Sequence, residues 1–292
     1  MNAMWYALPI TVVGFVITFI IVGLKYLYKG HNPSLWLQFA CIVPFMIFSF
    51  RYWYLPIDIA AGMFSGIYDP FYNIFPGIAE KGMIPCTVNE YKCSVLHFDY
   101  PEHVAWTVAL FDGYTLHAWI PNFLKVHILL NAIALCLFPW QLWLMKNGKG
   151  HTHRVVGRII GISAIIGTSV GWAISIRSHS NIQAYGGVLS MIAFGTMWAG
   201  VVGSATLGYI FIKKKDIENH RKWMIRFFGA LFGSFFFWRI EALVLQWMFS
   251  SANGWLFYTV TSWMLGMFLF DYAARKSGFY STKMLESNAA MA

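Results

Sequence analysis

Apolar residues fall in long runs divided by short polar breaks. Seven runs stand out, at about residues 4–24, 34–56, 119–144, 155–176, 187–212, 223–249 and 254–272. Each is close to the ~20 apolar residues a helix needs to cross the hydrocarbon core. The pattern therefore predicts an all-α, polytopic integral membrane bundle of about seven transmembrane helices, with spans three to six as a four-helix core. It divides the chain into two N-terminal transmembrane helices (1–57), an extracytoplasmic cap loop (58–118), the core bundle (119–250), and a last helix with a cytoplasmic tail (251–292).

Composition agrees. Of 292 residues, 58% are hydrophobic, 19% aromatic and 11% charged, against about a quarter charged in soluble domains. The net charge of +9 does not predict a nucleic-acid partner, because the basic residues lie in short blocks between apolar runs. That is the pattern of cytoplasmic loops. Lys25, Lys29, the blocks around 146–158 and 213–226, and Arg275, Lys276 and Lys283 all fall on one side. The N-terminus is thus expected outside and the C-terminus in the cytoplasm, with the lipid bilayer as the first partner. The start, Met1 to Tyr6, has no basic n-region, so no cleaved signal is expected.

The loop at 58–118 changes the picture on the outer side. It carries seven of the twelve acidic residues, and also Cys86 and Cys93, whereas Cys41 and Cys136 lie within spans. Two nearby cysteines in an oxidising compartment predict a disulfide; two free thiols are the alternative. Its Pro, Gly and aromatic residues suggest a compact cap on the membrane rather than a soluble domain.

A motif repeats on the basic side. Thr152-His153-Arg154 with Arg158 is echoed by Asn219-His220-Arg221 with Arg226. Thr152 and Asn219 read as helix-capping residues, so two helices are expected to begin with a histidine and two arginines. The hairpins of spans three and four and of spans five and six would then be related by rotation about the membrane normal, with His153 and His220 close together. Small residues recur every fourth position or so, from Gly157 to Gly171 and from Gly195 to Gly208, which lets helices approach closely.

Three chemical readings follow. In the first, imidazoles in a membrane bundle ligate b-type haem, with His153 and His220 as an inner pair and His127 near the outer end; this is a redox or quinone-interacting component, with other membrane subunits among its partners. In the second, Arg154, Arg158, Arg221 and Arg226 at helix N-termini bind an anion or lipid headgroup, as a non-enzymatic component or a transporter. In the third, the histidines fix helix ends by hydrogen bonding. Separately, Arg51, His127, Asn131, Arg239 and Glu241 fall at similar outer depth and suggest a polar intramembrane cluster, where His127 is a proton carrier beside Glu241 or is satisfied by Asn131. Hydrolase, zinc-protease, Cys-x-x-Cys and phosphate-loop motifs do not occur.

His127, then His153-Arg154-x-x-Gly157-Arg158, then His220-Arg221-x-Trp223-Met224-x-Arg226, then Arg239 resemble the membrane family called domain of unknown function 2306 over about residues 120–250. The resemblance implies a four-helix core and draws attention to His127, His153, His220 and Arg239. It implies no reaction.

Overall fold

The computed structural model describes residues 119–178, 188–238 and 251–280, with Phe50, Trp53 and Glu241. The two N-terminal spans, the 58–118 loop with Cys86 and Cys93, and Arg51 and Arg239 lie outside the described residues. What is described is helical, with short turns between α1 and α2 and between α3 and α4: α1 (Ile120–Lys146), α2 (Gly150–Ser178), α3 (Val188–Lys213), α4 (Ile217–Phe232), a π-turn over Gly233–Phe237 that continues α4, and α5 (Ser251–Lys276). The all-α expectation is borne out. Three of the helices, over Ile120–Met145, Gly150–Ile176 and Val188–Lys213, are long and apolar enough to cross a membrane.

Two tight turns join α1 to α2 and α3 to α4, and they have one geometry. In the first, Gly148 takes φ +66°, and Lys149 N donates to Leu144 O at 3.0 Å. Sixty-seven residues on (Lys149 to Asp216), Lys215 takes φ +60°, and Asp216 N donates to Phe211 O at 2.9 Å. The next bonds also match: His153 N to Lys149 O at 2.9 Å and His220 N to Asp216 O at 3.0 Å. Both are helix ends closed by a left-handed residue, which satisfies carbonyls left free at the last turn. The two short motifs thus follow turns of one backbone geometry.

The helix starts differ from expectation. Thr152 and Asn219 do not cap; they lie inside the first turns of α2 and α4, which begin at Gly150 and Ile217. Asp216 caps α4, accepting from Asn219 N at 3.0 Å and from Asn219 Nδ2 at 2.7 Å. A carboxylate offsets the helix-end dipole better than an amide, and Asp216 sits where the backbone has just left the turn. Arg158 and Arg226 are not equivalent positions either. With the 67-residue offset, the counterpart of Arg158 is Ile225, and one residue is ~100° around a helix. Arg154 and Arg158 are exposed, Arg221 is buried, and Arg226 is half-buried.

Glycines set the α1–α2 register. A Cβ on Gly171 would fall 2.5 Å from the His127 ring, one on Gly167 3.1 Å from Asn131, and one on Gly157 2.8 Å from Gln141. Three polar residues of α1 are thus seated on three glycines of α2. In the second hairpin the size order reverses: Gly208, the counterpart of Gln141, makes room for Met224, the counterpart of Gly157, whose Sδ would lie 2.7 Å from an added Cβ. Elsewhere α4 meets α5 backbone to backbone, where a Cβ on Gly229 would be 2.6 Å from Gly266 O. The core lies around α4, with Phe228 stacked on Phe138 of α1 (ring centroids 3.8 Å, planes 8° apart) and edge-on to Phe270 of α5.

Candidate functional site

The end of the bundle that bears the two tight turns is strongly basic, and it is described here as the basic end. His127 lies far from it. It sits fourteen residues before Gln141 in α1, or about 21 Å at 1.5 Å per residue. Its Nδ1–H donates to Gly167 O at 2.7 Å. An Nδ1 that donates cannot also accept, so Asn131 Nδ2 takes His127 O, 3.0 Å away, as its acceptor. Thr168 Oγ1 closes the group on Asn131 Oδ1 at 3.3 Å. Of the expected outer cluster, then, His127 and Asn131 do meet. Glu241 accepts instead from Thr261 of α5.

His153 and His220 do the same work in the two hairpins. His153 Nδ1 donates to Gln141 O at 3.3 Å, and His220 Nδ1 donates to Gly208 O at 2.8 Å, each reaching twelve residues back across its turn. The second nitrogen of His153 is taken as well, because Gln141 Nε2 lies 3.3 Å from His153 Nε2 and 2.9 Å from His153 O. Gln141 is what the sequence reading missed: a buried amide in an apolar span, twelve residues before the motif histidine, is its signal.

Arginines at a helix start are unfavourable without a negative partner, and around α4 carboxylates supply most of what is needed. Beyond the Asp216 cap, whose carboxyl the Asn219 hydrogen bonds hold below the usual range, Glu218 pairs with Lys222 at 2.5 Å. Asp271 of α5 accepts from Arg226 Nε at 3.1 Å, Arg275 Nε at 2.6 Å and Tyr280 OH at 3.1 Å. Burial and the Asp271 charge push the Tyr280 phenol well up. Neither Asp271 nor Tyr280 belongs to any motif in the sequence, and no spacing rule links them to Arg226.

Arg221 is the exception. It is 7% exposed, and its Nε and Nη1 are buried with no hydrogen-bond acceptor. Phe279 covers the face of the guanidinium, 4.7 Å from Cζ to the ring centre. A ring over the face leaves the in-plane N–H groups unmet. Phe279 arrives there because α5 ends at another left-handed residue, Gly278 with φ +69°, which folds Phe279 and Tyr280 back against α4.

Haem iron in a bundle needs imidazole lone pairs from facing helices. His153 has both nitrogens engaged by Gln141, and His127 is about 21 Å away along α1. This arrangement does not fit a bis-histidine haem. Among the described residues no group of three or more His, Cys, Asp or Glu could hold a metal ion.

Long apolar helices, histidines bonded from helix to helix, and charge gathered at one end define a polytopic helical membrane protein. The family described as "Predicted membrane protein (DUF2306)" matches residues 124–272, just over half of the 292-residue chain, and the chain belongs to that family. No curated protein and no solved structure matches it.

Proposed function

We propose that this membrane protein binds an oxyanion at its basic end, with Arg221 as the binding group. The positive-inside rule puts that end in the cytoplasm. One observation carries the reading: a buried guanidinium with two nitrogens lacking acceptors. Burying a charge costs several kcal/mol or so unless it is paired and hydrogen-bonded, and here only an aromatic face offsets it. A phosphate or carboxylate would supply both the charge and the acceptors. His220, next along α4, has Nδ1 committed to Gly208 O and presents Nε2 as an acceptor for a protonated ligand oxygen. The histidines serve as clasps between antiparallel helices, which leaves the arginine to recognise the ligand. The ligand is an inorganic anion or the headgroup of an inner-leaflet lipid.

The test is equilibrium binding to the purified protein, with inorganic phosphate in one arm and a short-chain phosphatidic acid in the other. Arg221→Gln is expected to weaken binding at least tenfold in the arm that binds, while Arg154→Gln, exposed at the counterpart position, leaves it unchanged. Equal effects of the two would mean diffuse basic charge and overturn the reading. A Soret band in the purified protein would overturn it in favour of haem.

A further inference from the structure

A second feature of the basic end is a groove between α4 and α5, lined by Arg226, Trp263, Met264, Met267, Phe268 and Asp271, with a volume of about 280 Å³. Its mouth is charged and its length is apolar. At the mouth, Arg226 and Arg275 both bond the single carboxylate of Asp271, which leaves one positive charge in excess. Trp223 lies beside Arg226, 4.9 Å from ring centre to Cζ, the kind of aromatic side chain that gathers at headgroup level. From Asp271 the groove runs up α5 past Phe268, Met267 and Met264, about 10 Å at 1.5 Å per residue. Met264 is 51% and Phe268 66% exposed, so the groove opens sideways, toward where lipid would lie.

We infer that this groove is a binding site for one anionic phospholipid, with its phosphate at Arg226 and one acyl chain along Met267, Met264 and Phe268. Charge selects the occupant. A headgroup with one net negative charge matches the one excess positive charge at the mouth, and a zwitterionic headgroup does not. Size limits how much is enclosed, since sites that envelop a drug-sized molecule run ~300–1,000 Å³. The groove takes one chain and leaves the second in the bilayer. Methionine walls adapt to a chain of any local conformation. The site uses neither Arg221 nor His220, so it stands apart from the oxyanion reading: failure there is read in Arg221→Gln, and failure here in Met264→Trp and Arg226→Gln.

The experiment is native mass spectrometry of the full chain, delipidated and then supplied with phosphatidylglycerol or phosphatidylcholine of equal chain length. One phosphatidylglycerol per protomer is expected to survive activation, at least fivefold more often than phosphatidylcholine. Met264→Trp, which fills the groove without touching a charge, and Arg226→Gln are each expected to cut that retention at least fivefold. Lys149→Gln, a surface charge in the α1–α2 turn, is expected to leave it unchanged. Equal retention of the two lipids, or retention unaffected by Met264→Trp, would overturn the site. So would a dimer that Met264→Trp abolishes, since a second copy would then be the occupant.

Discussion

His220 is the structural counterpart of His153. Each lies in the first turn of the second helix of a hairpin, and each donates Nδ1–H to a backbone carbonyl twelve residues earlier, Gly208 O at 2.8 Å and Gln141 O at 3.3 Å. The shared bond pins each hairpin just beyond its turn and gives the imidazole N–H an acceptor, without which it would be costly in an apolar setting. The partners differ, and so do the outcomes. Gln141 also reaches His153 Nε2, whereas Gly208 has no side chain and leaves His220 Nε2 available. The first clasp uses both ring nitrogens, and the second uses one. If the pairing is as described, His153→Cys and His220→Cys together give a cross-link with a short bifunctional reagent. Absence of cross-linking across several reagent lengths would separate the two turns.

The glycines of α2 are expected to divide by what faces them. Gly171→Ala drives a methyl into the His127 ring and should destabilise by about 1–3 kcal/mol, as overpacking does. Gly161→Ala meets nothing within 4 Å and should stabilise by about 0.5–1 kcal/mol through lost backbone freedom in the unfolded chain. Unfolding of the purified variants in denaturing detergent measures both. The same sign for the two would refute the register.

Lys215 holds a left-handed conformation, φ +60°, that its counterpart Gly148 adopts without strain. Lys215→Gly should therefore stabilise by about 1 kcal/mol, in the same unfolding assay, with the counterpart Gly148→Ala losing a similar amount. A destabilising Lys215→Gly would show that the lysine side chain matters more than its backbone.

Asp216 gives a pH dependence with a definite sign. Its folded carboxyl is held below the ordinary value of 3.8, chiefly by the Asn219 side chain. A depressed carboxyl adds stability that is fully present above the unfolded pKa and is lost as pH falls through the folded one. Wild type should thus lose stability below about pH 4 more steeply than Asp216→Asn. Superimposable pH profiles would remove the cap from the account.

How much of this could be read in the sequence follows from what each feature depends on. The spans of α1 and α3 were legible to within two residues because bilayer thickness fixes their length, whereas α2 and α4 begin five and six residues before their apolar runs. The repeated His-Arg turn was legible because both members are short and contiguous. The caps were not. Thr152 and Asn219 have capping chemistry, but the helix begins where the left-handed residue releases the chain, at Gly150 and Ile217. Nor could the pattern distinguish Arg154 from Arg221. They are equivalent along the chain, and the fold-back of Phe279, set by Gly278, covers the face of one of them. The Arg226–Asp271 pair spans 45 residues, and no local pattern links its two members.

The unmet nitrogens of Arg221 are the centre of the account, and a density map of the protein purified with its native lipids tests them most directly. The account predicts non-protein density within hydrogen-bonding distance of Arg221 Nε and Nη1, absent from Arg221→Gln prepared in the same way. A protein carboxylate or carbonyl bonded to both nitrogens, with no ligand density beside them, would contradict it.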